Sequence, residues 1–169
     1  LGTFSRFRSM LLAYYPDEIR RMRMAQEMHE FSATLQVNYQ RCMVRGDIVA
    51  AQSCRIGGMM AAMKLFFLLK QKYMPYYKWA YRALCELDGE GTFASHIDEL
   101  ARCHSDESAW EGTKYHPNRP NFKDRVVGLA EDIGYDLSGM LKEQGFIEHI
   151  NPYLEADVNT VGGYSDSAL

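Results

Sequence analysis

The chain has 169 residues, 47% hydrophobic and 24% charged, with a net charge of −3. That is enough chain for one hydrophobic core, and it excludes a disordered tail, a collagen-like chain and a disulfide-dense mini-protein. Residues 1–82 carry thirteen Lys/Arg against five Asp/Glu, and residues 83–169 six against seventeen. Either the two halves attract each other across one fold, or the first presents a basic face to an anionic ligand or partner.

Helical signals recur along the chain, and no period-two strand with hairpin chemistry accompanies them. Pro16-Asp17-Glu18 reads as a helix start, with carboxylates placed to complement the dipole. Met24, Met28, Phe31 and Leu35 then mark one face of a helix over 17–37. Asn38 to Gly46 breaks the pattern and carries Arg41 and Arg45. Asp47 opens the longest predicted helix, reaching about Tyr73 and about 40 Å long. From Met59 to Leu69 it is apolar on nearly every face except at Lys64, as expected of the central helix of a bundle. The stretch Ile56–Leu69 is short for a membrane span. The pair Gly57-Gly58 costs about 1 kcal/mol per glycine relative to alanine, so it predicts a kink or a close approach.

Pro75 ends that helix and starts the next, 75–87. After a turn at Asp88-Gly89-Glu90-Gly91, Thr92 is placed to cap a helix to about Cys103, with Phe93, Ile97 and Leu100 on one side. Residues 104–120 read as a long loop, which in a compact domain is either mobile or functional. The last strong helix spans 121–144, stopped by Gly145. A short helical piece follows at 152–157. The reading is one helical domain over 1–158 and a flexible tail over 159–169.

No phosphate-binding Gly-rich loop, His-Glu-x-x-His, Cys-x-x-Cys or Gly-x-Ser-x-Gly is present. Metal-dependent nucleotidyl transfer requires paired carboxylates, typically a Gly-Ser element followed by Asp-x-Asp on a strand, and the chain offers neither. Cys103-His104 with His96 is a poor zinc arrangement, so no metal site and no catalytic residue is assigned. Four irregularly spaced cysteines and the lack of a signal-peptide pattern point to free thiols and a cytoplasmic setting.

Two segments are dense in chemistry. Tyr39 to Arg45, followed by Asp47, offers cations beside a helix start. Lys72-Tyr73-Met74-Pro75-Tyr76-Tyr77-Lys78-Trp79 places four aromatics and two lysines at a helix break, where a helix N-terminus suits anions and the rings can stack. Tyr73, Tyr76, Lys78 and Trp79 are the expected ligand surface. Arg41, Arg45 and Asp47 form a second surface for an anion or a docking domain, separated from the first by the long helix. The aromatics could instead fill a helix corner. Arg23-x5-His29 fits the loose spacing of HEPN ribonucleases, which gives an alternative reading as a stand-alone helical interaction protein or a HEPN-like RNase paired with an antitoxin.

The run Leu11-Leu12-Ala13-Tyr14-Tyr15-Pro16-Asp17-Glu18 resembles the opening of a helical domain of unknown function that follows a nucleotidyltransferase fold in bacterial proteins. The similarity continues through Asn38-Tyr39-Gln40-Arg41-Cys42, Arg45-Gly46-Asp47, Phe67-Leu68-Leu69 and Tyr73-Met74-Pro75-Tyr76-Tyr77-Lys78-Trp79, over roughly residues 2–87. An acidic residue near Gly57 and an asparagine near Lys70, expected from the family, are absent. The resemblance implies an N-terminal catalytic domain joined to a C-terminal bundle that lines the substrate side of the cleft, as in kanamycin-type nucleotidyltransferases. It implies Mg²⁺ and a nucleoside triphosphate on that catalytic domain and no cofactor in this chain. The expectation is therefore an all-α antiparallel helical bundle that binds substrate and is not by itself an enzyme.

Overall fold

The computed structural model describes residues 2–163 and is all-α, with no strand among them. Helix α1 spans Gly2–Leu12, a segment for which the sequence pattern gave no element. Its side chains Phe4, Phe7, Met10 and Leu12 are exposed. Helix α2, Asp17–Phe31, passes without a break through a π segment, Ser32–Asn38, into α3, Tyr39–Val44. The predicted break at 38–46 is thus confined to a turn at 45–47. Tyr39, Cys42 and Met43 are buried and hold the chain helical there, while Gly46 takes the left-handed backbone of the turn at φ +70°.

Helix α4, Ile48–Leu69, is central, as its all-round apolar character requires, and touches α2, α3, α5, α6 and α7. It runs antiparallel to α2: Arg20 reaches the carbonyls of Leu68 and Leu69, Glu27 faces Lys64, and Leu35 lies against Gly58. A Cβ at Gly58 would collide with the Leu35 side chain, so the glycine pair serves a close approach to the π segment. Asp47 caps α4 by accepting a hydrogen bond from the Ala50 amide at 3.1 Å. The helix ends earlier than predicted because the buried Arg20 guanidinium takes the Leu68 and Leu69 carbonyls and Gln71 turns left-handed at φ +52°.

Helix α5, Tyr77–Leu87, buries only Ala80 and Leu84. Helix α6, Thr92–Arg102, starts from Gly91 rather than Thr92, with Asp88 accepting from the Ala94 amide at 2.8 Å. Helix α7, Arg125–Glu143, lies antiparallel to α6, joined by His96 to Asp136 and Glu99 to Arg125. Gly145 closes it at φ +73°, as expected.

The 104–120 connection is tied down rather than loose. It holds a 3₁₀ turn, Glu107–Trp110, whose buried Trp110 donates to Asp124 at 2.8 Å. Asp124 is fully buried and also accepts from the Tyr39 hydroxyl and the Val126 amide, so one carboxylate caps α7 and pins α3 and the connection to it. Residues Leu154–Asp157 form a 3₁₀ turn, and Val158–Gly162 form α8 with Val161 buried against α2. The expected tail therefore begins with a packed helix, and its last residues, 164–169, lie outside the described range.

Candidate functional site

Where α2 begins and α4 ends, the two connections Ala13–Pro16 and Lys70–Tyr76 meet. The Tyr14, Tyr15 and Tyr73 rings pack on one another with centroids 4.8–5.1 Å apart. The Tyr14 hydroxyl reaches the Lys72 carbonyl at 3.4 Å. Beside this cluster opens a pocket of about 160 Å³, lined also by Arg23 and Glu27 of α2, Lys64, Phe67 and Leu68 of α4, and Lys72 and Met74 of the second connection.

The local sequence explains the geometry. Pro16 and Pro75 each precede a helix and bias the residues before them away from the helical region. Tyr14 and Gln71 are the non-glycine residues with left-handed backbone among those described, at φ +64° and +52°. One lies in each connection, and such conformations persist where surrounding structure imposes them, often at binding sites.

The pocket's chemistry is cationic and aromatic. Arg23, Lys64 and Lys72 face a single carboxylate, Glu27. The Arg23 guanidinium lies over the Tyr15 ring at 4.7 Å. Lys64 is half-exposed and sits 3.5 Å from Glu27, whose side chain is only 14% exposed. Burial pushes the Glu27 carboxyl above the usual range, against the opposing pull of Lys64. Burial, then the neighbouring Tyr15, raise the Tyr14 phenol to about 12, so at neutral pH it is a hydrogen-bond donor.

Of the residues singled out in the sequence, Tyr73 lines this pocket. Tyr76, Lys78 and Trp79 lie just beyond it at the start of α5, exposed to solvent, with the Tyr76 and Tyr77 rings 4.4 Å apart. They line no part of the cavity. Arg41, Arg45 and Asp47 lie at the other end of α4, a helix of 22 residues and about 33 Å. There Arg41 stacks over Tyr115 at 4.9 Å, Arg45 donates to the Cys42 sulfur at 3.3 Å, and Asp47 is the α4 cap. Arg23 and His29 diverge: His29 binds the Glu155 carboxylate at 2.9 Å, far along α2 from the ring under Arg23.

Sequence reasoning missed Tyr14, Tyr15, Glu27, Lys64 and Lys72 as pocket residues. Lys64, the one charge in the apolar stretch 56–69, and the doubled tyrosine before Pro16 were the available signals. No group of three or more His, Cys, Asp or Glu side chains that could hold a metal ion occurs among the described residues. No helix among them is long and apolar enough to cross a membrane.

Residues 1–80 match the model of a protein family described as a domain of unknown function, DUF4037. The chain matches no curated protein. It matches no solved structure. Every residue lining the tyrosine pocket falls inside the matched stretch.

Proposed function

We propose that this chain is the helical, substrate-binding part of a nucleotidyltransferase-like protein whose catalytic domain is carried outside it. The observation that carries the reading is the pocket at the α2–α4 end. Three cations and three packed tyrosines converge there, both connections hold a left-handed residue, and all of it lies within the family-matched residues. The Tyr73–Trp79 run that carries the resemblance forms one wall and the adjoining rim.

In this reading the chain holds and orients a substrate, and the transfer chemistry, with its Mg²⁺ and nucleoside triphosphate, belongs to the catalytic domain. The exposed apolar side chains of α1, which leads into the pocket through Tyr14, are the contact offered to that domain. Arg41 and Arg45, occupied by Tyr115 and Cys42, are less suited to docking than their sequence suggests.

Two observations test the proposal. The coding sequence upstream of Leu1 should encode a Gly-Ser element followed by Asp-x-Asp. The purified chain, given labelled nucleoside triphosphates and Mg²⁺, should transfer no label. Turnover by the chain alone, or an upstream segment lacking those carboxylates, overturns the reading.

A further inference from the structure

The geometry points to a phosphate monoester as the chemical group that the tyrosine pocket receives, and we propose that Arg23, Lys64 and Lys72 hold it. This deepens the reading above and rests on the pocket's being a substrate site.

Charge is the first argument. Arg23, Lys64 and Lys72 against Glu27 leave the walls with two positive charges in excess. A phosphate monoester dianion neutralises that excess, whereas a carboxylate leaves half of it. The donors also match. A guanidinium presents a planar fork suited to two phosphate oxygens, and an ammonium meets phosphate as a point charge.

Size and shape are the second argument. The cavity of about 160 Å³ is close in volume to an engineered cavity of about 150 Å³ that takes up one benzene, which suits a phosphate and its ester oxygen but not a whole nucleoside. The ring faces inside are already taken. Tyr14, Tyr15 and Tyr73 pack on one another, and Arg23 covers Tyr15. A flat group therefore has no slot between them. It would lie outside, where Tyr76, Tyr77 and Trp79 are each about 60% exposed.

Glu27 sets the sign that makes the assignment testable. It holds Lys64 when no ligand is bound, and an arriving anion competes for that lysine. A wall that only supported the fold would weaken when Glu27 is altered. A phosphate site loses its one repulsive charge instead.

The test is calorimetric titration of the full chain with inorganic phosphate, adenosine 5′-monophosphate and adenosine. Inorganic phosphate and the monophosphate should bind, with affinity falling as salt rises, and adenosine should not. Lys72→Ala, at an exposed position, should weaken monophosphate binding about tenfold with no change in melting temperature, in line with losing one charge-assisted contact. Glu27→Gln should tighten it severalfold. Equal binding of adenosine and its monophosphate overturns the phosphate assignment while leaving the pocket a substrate site. No binding of phosphate or monophosphate, or a Glu27→Gln variant with unchanged or weaker affinity, also overturns it. The substrate-binding reading itself stands or falls separately, on the upstream sequence and the transfer assay.

Discussion

Two of the three glycines of helix α7, Gly134 and Gly139, should respond to the same substitution with opposite signs. A methyl added at Gly134 would fall inside van der Waals distance of the Pro152 carbonyl oxygen and close to its carbon, both backbone atoms of the segment leading into the 154–157 turn. That same carbonyl accepts a hydrogen bond from Gln36 Nε2 at 2.8 Å. Overpacking against backbone costs about 1–3 kcal/mol, and losing the Gln36 bond adds about 1 kcal/mol. Gly134→Ala should therefore destabilise the protein by about 3 kcal/mol, which for a chain of this length lowers the melting temperature by roughly 6–12 °C. At Gly139 a methyl meets nothing within 4 Å. There the substitution should stabilise by up to about 1 kcal/mol, because alanine loses less backbone freedom in a helix than glycine. Urea unfolding followed by circular dichroism measures both variants against the parent. If the two shift the midpoint in the same direction, or Gly134→Ala leaves it unchanged, the packing of the 150s segment onto α7 is wrong.

Other consequences follow from single residues. Asp124→Ala strands the Trp110 indole and the Val126 amide in the interior, leaves the Tyr39 hydroxyl to Ser105, and should cost about 3 kcal/mol with increased proteolysis in 104–120. Gln71→Gly should raise stability by about 0.5–1 kcal/mol, since glycine takes φ +52° without strain and the side chain is exposed; a loss of stability would show that the side chain matters. Burial raises the Glu131 carboxyl above its ordinary value, so the folded state binds a proton there more tightly than the unfolded chain. Its ionisation therefore opposes folding, with the cost absent below the ordinary glutamate range and growing as pH rises through it. Glu131→Gln keeps an acceptor for Gln36 and should raise stability at pH 7 while leaving it nearly unchanged at pH 4, read by melting temperature across pH. If the chain cleaves RNA and His29→Ala abolishes that cleavage, the ribonuclease alternative displaces the substrate-binding account.

What the sequence reveals about this fold depends on how local each determinant is. The central helix is legible because its apolar residues circle the axis from Met59 to Leu69, and Gly58 is legible as a close approach because nothing else justifies glycine there. Gly145 announces its own stop. The π segment is not legible. Nothing in its residue pattern marks the wider turn, which shows only in a backbone bond five residues long, from the Tyr39 amide to the Thr34 carbonyl. Asn38 and Gly46 resemble turn residues, and the buried Tyr39 between them finds its partners at Ser105 and Asp124, far along the chain. The pocket divides in the same way. Tyr73 stands out by the density of aromatics and cations around it, while Tyr14 and Tyr15 reach it from the connection before α2, 58 residues away in sequence, through ring packing that no local pattern encodes. Spacing alone pairs Arg23 with His29, yet the fold sends one to Tyr15 and the other to Glu155.

We propose that ligand enters between α2, α4 and the 70–76 connection rather than at the opposite end of the bundle. Titrating the isotope-labelled chain with adenosine 5′-monophosphate, and following its backbone amide resonances by NMR, tests this residue by residue. Saturable shifts should concentrate at Tyr14, Arg23, Lys64, Lys72 and Tyr73, with Arg41, Arg45 and Asp47 unmoved. Shifts centred on Arg41 to Asp47, or none at the tyrosine pocket, would contradict it.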